Sequence, residues 1–506
     1  MDLKRKLARL TGVGPGGKPA TNRVATLPEP PPRAEDLARV DGPPVTPVDG
    51  VTSEASSPTS PAEDVAATAR RGVPEAPSST EPSTPKDPRI EALRRMLADW
   101  SERQGQTAAR RGPAPAKPRP GPLPVVPQET PHGTVHVSET LLSPEHRHGT
   151  APVAGALDVE GALVARLALH EELAGVDFQR MLFLDTETTG LAGGTGTVPF
   201  LVGLAWFEGR SLRVHQLFLR KLGEEAPMLR VLAARMAMSS CLVTFNGKSF
   251  DWPLLRTRFV LNRVATPPEL PHLDLLHCAR RVFKHRGAGT RLVHVEEQVL
   301  GHRRVDDVDG SLIPELYFRY LRGGDGSALT PVLEHNANDL LLLAALLGEL
   351  VRRFRAGDGT AVLPGEDPRD LLGFAGVALR AGDHARARAF AQAATGGSGT
   401  VGVEAHALAS RLARMAGEPL VAAEHLLQAL VTARGFQAAT LHLELTKLYE
   451  HSLKDLAGAL SHARLSAAAE LPEDHRRRIV RLEGRIERST RSRALDLSAR
   501  PPRSGP

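Results

Sequence analysis

Four carboxylates in the middle of this chain stand within or at the ends of apolar runs. They are Asp185 and Glu187 in MLFLDTETTGL, Asp251 in TFNGKSFD and Asp339 in EHNANDLLLL. A charge beside a core segment is costly unless a partner compensates it. A divalent cation is the usual partner when several such carboxylates converge. Carboxylates clustered around hard cations are suited to breaking phosphodiester bonds. The pattern therefore points to one metal site assembled from separate segments.

Local spacing sharpens this. MLFLD (181–185) reads as a short buried strand, and residues i and i+2 of a strand share a face. Asp185 and Glu187 thus project together before Thr188-Thr189-Gly190 ends the strand; the plainer alternative is a pair of solvated turn acids. Asp251 follows the strand CLVTF and the turn at Asn246-Gly247, where a carboxylate can equally cap the next helix. Asp339 lies on a long helix one turn after His335, so imidazole and carboxylate share a face. A surface His–Asp pair has the same spacing. Asn336 and Asn338 are poor helix formers in an otherwise strong helix, a local inconsistency that hints at function. Two glycine-containing stretches mislead. Gly247-Lys248-Ser249 lacks the earlier glycine of a phosphate loop, that position being Leu242, and GLAGGTG (190–196) does not fit a dinucleotide fingerprint.

The rest of the chain frames this segment. Its 506 residues are enough for two or three domains, and a net charge of +6 suits a polyanionic partner. Two cysteines, Cys241 and Cys278, cannot form a disulfide framework and read as buried small hydrophobes. MDLKRKLARL lacks the apolar core of a secretory signal, and LLLLAALLGEL is too short to span a bilayer, so a cytoplasmic protein without membrane contact is expected. Residues 1–149 read mostly as a disordered Pro/Ala/Ser-rich arm. It is interrupted by RIEALRRMLADWSER, a possible short helix near 88–103. VPFLVGLAWF (198–207) and SLRVHQLFL (211–219) read as a hairpin turning at Glu208-Gly209-Arg210. Helices are expected over 224–238, after Asp251, over 273–283, over 291–300 and from Thr330-Pro331 to about Arg355. The expected fold is an α/β mixed sheet with flanking helices over 150–357. From 366 to 490 the chain is Ala/Leu-rich and helical. Ala387, Ala422 and Ala459 recur in register within GDHARARAFAQAA, GEPLVAAEHLLQAL and LKDLAGALSHARLSAA. Paired helices at this period predict a tetratricopeptide-like (TPR-like) array. The tail from 491 to 506 is expected to be disordered.

Taken together, FLDTETTGL, the Glu224-Glu225 helix start, TFNGKSFD, His272-Leu273-Asp274 and HNAND occur in the order seen in one family. The stretch from about 150 to 355 resembles the DEDD (DnaQ-like) exonucleases of the ribonuclease H-like fold, closest to their YprB-like branch. The resemblance implies that Asp185, Glu187, Asp251 and Asp339 hold two Mg²⁺ or Mn²⁺ ions. It also implies that His335 orients or deprotonates the attacking water, and that Thr188, Leu191, Asn246 and Lys248 lie against the terminal nucleotide. One departure is visible. The family's histidine usually stands five residues before the last aspartate and its tyrosine four before. Here a histidine takes the tyrosine spacing, one residue being a 100° rotation on a helix.

The resemblance implies a metal-dependent 3′→5′ exonuclease acting on single-stranded or frayed ends of DNA or RNA. The alternative is a binding platform on the nuclease fold with weak or no catalysis, its partner recruited by the helical repeats. An endonuclease on the same fold is a third possibility. The repeats show no dense Arg/aromatic pattern and favour a protein partner over direct reading of RNA.

Overall fold

The computed structural model describes residues 122–190, 196–287, 289–358 and 365–498. A seven-stranded mixed sheet forms its centre. The strands in it are β1 (Val126–Thr130), β2 (Gly133–Leu142), β5 (Met181–Thr188), β6 (Pro199–Glu208), β7 (Ser211–Phe218), β8 (Cys241–Thr244) and β9 (His272–Asp274). Their order is β1-β2-β7-β6-β5-β8-β9, and a two-stranded pair, β3 (Arg147–His148) with β4 (Ala151–Pro152), stands apart. The β1-to-β5 side is antiparallel throughout, whereas β5, β8 and β9 run parallel. β5 is buried on both faces, as a central strand with helices on each side must be. Met181 and Phe183 enter one core, Leu182 and Leu184 the other. The expected hairpin is β6–β7. Its turn pairs Glu208 with Ser211 and bends at Gly209, whose φ of 60° a side chain would oppose.

The helices of the sheet domain are α1 (Gly161–Ala168), α2 (Glu225–Ala237), α3 (Asp251–Leu261), α4 (Leu275–Val282), α5 (Ile313–Leu321) and α6 (Thr330–Arg355). The expected helix over 291–300 begins as one α turn, Leu292–Val295, and continues as a π turn, Glu296–Leu300. Three expectations are corrected. The sheet starts at Val126, so β1 and β2 belong to it although they fall inside the expected arm. Leu273 and Asp274 belong to β9, not to the helix that follows. The last helix runs to Ser498, into the expected tail. The possible helix near 88–103 lies outside the described residues.

Beyond the sheet follow α7 (Pro368–Arg380), α8 (His384–Ala394), α9 (Gly399–Met415), α10 (Pro419–Thr432), α11 (Gly435–Leu448), α12 (Leu456–Leu465) and α13 (Pro472–Ser498). Each packs on the next in sequence. Ala387, Ala422 and Ala459 are fully buried and fall on α8, α10 and α12, the second helix of successive pairs. A small residue there lets paired helices approach closely. The first pair is continuous with the sheet domain, because Phe354 of α6, Phe374 of α7 and Phe390 of α8 form one ring cluster within a shared core. Among the described residues, no helix is long and apolar enough to cross a membrane.

Candidate metal centre

The parallel strands β5, β8 and β9 deliver their carboxyl ends to one edge of the sheet, where open α/β sheets present their ligand sites. Asp185 and Glu187 leave β5 there on a common face, and a register shift between Glu187 and Thr188 ends regular pairing. Asp339 arrives from α6. Glu187, His335 and Asp339 bring one donor atom each within 4.8 Å of one another. Asp251 is the first residue of α3 and is buried; its Oδ1 accepts the Thr186 hydroxyl at 2.5 Å. So Thr186, between the two strand acids, ties the third acid to β5.

Converging charge shows in the protonation of these groups. Burial pushes Asp185 well above the usual carboxylate range, and the charges of Asp339, Asp251 and Glu187 add to it. Glu187 is raised in the same way, by burial and then by Asp339 and Asp251. Asp251 is pushed up to about 6 by burial, against the stabilising hydroxyl of Thr186. Burial raises Asp339 too, with Arg304 and His335 opposing. All four acids sense one another, as groups sharing one poorly hydrated site do.

Sequence reasoning flagged Asn336 but named no partner for it, and missed Gln216, Glu296, Arg304 and Asp307, which help hold this cluster. Asn336 is fully buried; its Nδ2 donates to Asp185 Oδ2 at 2.8 Å and its Oδ1 accepts from Gln216 Nε2 at 2.9 Å. That explains a poor helix former in α6. His335 directs Nδ1 to Asp307 Oδ1 at 2.8 Å, leaving Nε2 3.7 Å from Asp339 Oδ2 and 3.9 Å from Glu187 Oε1. Arg304 donates to Asp339 Oδ1 at 2.5 Å, to Glu296 Oε2 at 2.7 Å and to Asp307 Oδ2 at 3.2 Å. Glu296 is itself fully buried and binds His148 Nε2 through its other oxygen at 2.5 Å. His148, Glu296 and His302 form a second group of potential metal donors. Both carboxylate oxygens of Glu296 already have partners, so it serves as a strut from β3 to Arg304. Arg304 and Asp307 lie in a connection without regular structure, where no periodicity marks them.

The turn after β8 is organised by Asp274. Its carboxylate accepts from the backbone N–H of Asn246 at 2.8 Å and of Lys248 at 3.1 Å, and also caps α4 through Leu276 N. Asn246 takes a left-handed φ of 70°, and a Cβ on Gly247 would lie 2.5 Å from the Thr244 side chain. Lys248 is thereby held exposed at the sheet edge. Thr188 is buried and spends its hydroxyl on Gly190 O at 2.8 Å, which makes it a turn former here. Leu191 lies outside the described residues. Cys241 and Cys278 are buried, and burial pushes both thiols up to about 12, away from reactivity.

Residues 182–351 match the RNase_H superfamily. A 174-residue stretch is 42% identical to the "Uncharacterized protein YprB" of Bacillus subtilis (strain 168). That match takes in 34% of this chain and 42% of the relative, so the chain spans about two-fifths of the relative's length. An RNase H-superfamily domain occupies residues 182–351. Its superfamily typically hydrolyses nucleic acids and generally uses divalent metals.

The residues of this RNase H-superfamily domain fit such ions. The donors are carboxylate oxygens with one imidazole, a set that suits Mg²⁺ or Mn²⁺ better than a thiophilic metal. Arg304 supplies one positive charge among Asp339, Glu296 and Asp307, which leaves Asp185, Glu187 and Asp251 without a cation bonded to them among the described residues. The raised proton affinity of the cluster reports that shortfall of positive charge.

Proposed function

We propose that the chain is a metal-dependent 3′→5′ exonuclease that trims single-stranded or frayed nucleic-acid ends. The observation that carries this reading is the convergence of Asp185, Glu187, Asp251 and Asp339 with His335 Nε2 turned toward them. The polarity rests on the likeness to DEDD exonucleases. The four acids would hold two Mg²⁺ or Mn²⁺ ions, which supply charge neutralisation for the attacking and leaving oxygens of an in-line displacement.

The protein's own groups have separable tasks. Asp307 holds Nδ1–H of His335, so the lone pair of Nε2 faces the carboxylates. From there His335 takes a proton from the water that attacks phosphorus as the P–O3′ bond breaks. Asn336 and Thr186 fix the carboxylates of Asp185 and Asp251, keeping the site in one geometry before substrate arrives. Lys248, held by Asp274, offers an ammonium to a phosphate. We read the paired helices of 366–490 as TPR-like, supported by the matched burial of Ala387, Ala422 and Ala459.

Digestion of 5′-labelled single-stranded DNA and RNA with Mn²⁺, Mg²⁺ or EDTA tests the proposal, with Asp185→Ala beside the wild type. A metal-dependent ladder shortening from the 3′ end and lost in the variant is expected. Absence of cleavage, or equal cleavage by the variant, would sink the catalytic reading and favour a binding platform.

A further inference from the structure

The outward face of α4 carries His277, Arg280 and Arg281, and Lys284 follows in the turn just beyond it, at three- and four-residue spacings with no acid among them. α4 starts at Asp274, the residue that pins the Lys248 turn beside the metal centre. The cationic face therefore begins at the carboxyl edge of the sheet and continues for about 10 Å along the helix. At its far end it forms one wall of a groove of about 710 Å³, whose other wall is α7 and α9 with Arg380 and Arg411.

These cations lack the acid partners that several arginines of the helical array have: Arg388 with Glu418, Arg414 with Glu444, Arg478 with Glu470. Among the described residues no carboxylate pairs with Arg280, Arg281, Lys284, Arg380 or Arg411. Arg281 and Arg380 donate only to the backbone carbonyls of Ala168 and Gly376. The groove's one acid, Glu404, stands 3.6 Å from His285. Burial and then the charge of Arg281 push the Arg380 guanidinium below its ordinary value, so the two walls repel. Repulsion does not part them, because the junction is locked from beneath. A Cβ on Gly373 of α7 would lie 1.9 Å from Val282 O at the end of α4. Fully buried Asp370 takes Arg286 at 2.7 Å from one side and Arg353 at 2.7 Å from the other.

A rigid, uncompensated cationic groove calls for a polyanion. Its continuity with the Lys248 turn selects the polyanion that the metal centre acts on over an acidic protein. The lining contains no Phe, Tyr or Trp, and its five Arg and Lys side chains outnumber the single imidazole of His285, so the contacts suit phosphates more than bases. We propose that this groove binds the phosphodiester backbone of the substrate strand, upstream of the end being trimmed. The helical array is then part of the nucleic-acid site. This inference rests on the nuclease reading above for the identity of the strand, but its test reads binding alone.

The experiment uses the full chain carrying Asp185→Ala and a fluorescein-labelled single-stranded oligonucleotide, followed by anisotropy across a salt series. Arg280→Ala, Lys284→Ala, Arg380→Ala and Arg411→Ala are combined on this parent. All four side chains are exposed, and circular dichroism checks folding. Affinity is expected to fall about tenfold or more, and the slope of log K against log salt to shrink by about 2–3, each single-strand phosphate contact contributing roughly 0.7. Arg280→Lys with Arg380→Lys and Arg411→Lys keeps the charges and should keep the slope. Neutralising four arginines that already have acid partners, Arg388, Arg414, Arg464 and Arg478, should change the slope far less. Unchanged binding in the first variant, or an equal loss in the paired-arginine control, overturns the proposal. Lost binding in a protein that proves unable to cleave leaves the groove standing and removes only the exonuclease.

Discussion

Asn336 lies directly over Gly203: a Cβ on that glycine would come 2.1 Å from Asn336 Oδ1. Asp185, Gly203 and Gln216 are register partners across β5, β6 and β7, and Asn336 bridges the outer two above the missing side chain. The site thus needs a hole in the middle strand. Gly203→Ala is expected to destabilise the domain by about 1–3 kcal/mol through overpacking. Adding Asn336→Ala vacates the space, so the double variant should recover about 1 kcal/mol relative to the sum of the single changes. Urea unfolding of the four proteins measures the coupling; strictly additive effects would refute the arrangement.

The His335–Asp307 bond at 2.8 Å sets which imidazole nitrogen faces the acids. Asp307→Asn can present its amide to Nδ1 and reverse the tautomer, putting a proton on Nε2 where a base is needed. On the proposed function, kcat should fall about 10- to 100-fold with little change in KM, and His335→Ala should fall at least as far. Steady-state digestion of a single-stranded substrate at saturating Mn²⁺ reads this. An Asp307→Asn enzyme with wild-type kcat would remove Asp307 from the mechanism.

The acids were legible because each stands where an apolar run meets a turn, and because i, i+2 on a strand and i, i+4 on a helix fix shared faces. The α6 boundaries followed from Thr330-Pro331, and the hairpin from Gly209. What stayed hidden has physical reasons. β1 is an almost wholly exposed edge strand, so it lacks an apolar alternation to betray it. β9 has three residues, too few to show a period, and its Asp274 reads equally well as the start of a helix. Arg304 and Asp307 come from an irregular connection, and their roles arise only when α6 and the Glu296 turn pack beside it. The Asn336 inconsistency was visible, but not that its amide fills the space of an absent side chain at Gly203 on β6.

Arg304 joins buried Glu296 to buried Asp339. Burial works against its charge, yet the two carboxylates outweigh it and raise the guanidinium above its ordinary value. Arg304→Met leaves Glu296 with only the imidazoles of His148 and His302 as counter-groups and should cost about 3–5 kcal/mol, the usual effect of breaking a buried pair from one side. A second change, Glu296→Gln, removes the stranded charge and should return part of that loss. Chemical denaturation of the single and double variants is the check, and a stable Arg304→Met protein would show that the network contributes little.

The metal-free protein should lose stability as pH rises through the acid range. Burial first, with Asp274 and Asp339 adding their charges, raises Asp251 to about 6 in the folded state, while an unfolded aspartate titrates near its ordinary ~3.9. Between these values the folded chain holds the extra proton. The contribution is therefore fully present below about pH 4 and is lost as pH climbs through about 6. Asp185 and Glu187, raised in the same direction, extend the loss to higher pH. The Asp251 share is on the order of 3 kcal/mol. Mg²⁺ or Mn²⁺ should offset it by favouring the ionised cluster, so the melting temperature in EDTA should fall relative to that in metal as pH goes from 5 to about 7. Asp251→Asn, which cannot ionise, should flatten this pH dependence and weaken the response to metal together. Equal melting curves with and without metal across that range would count against a cation at these carboxylates.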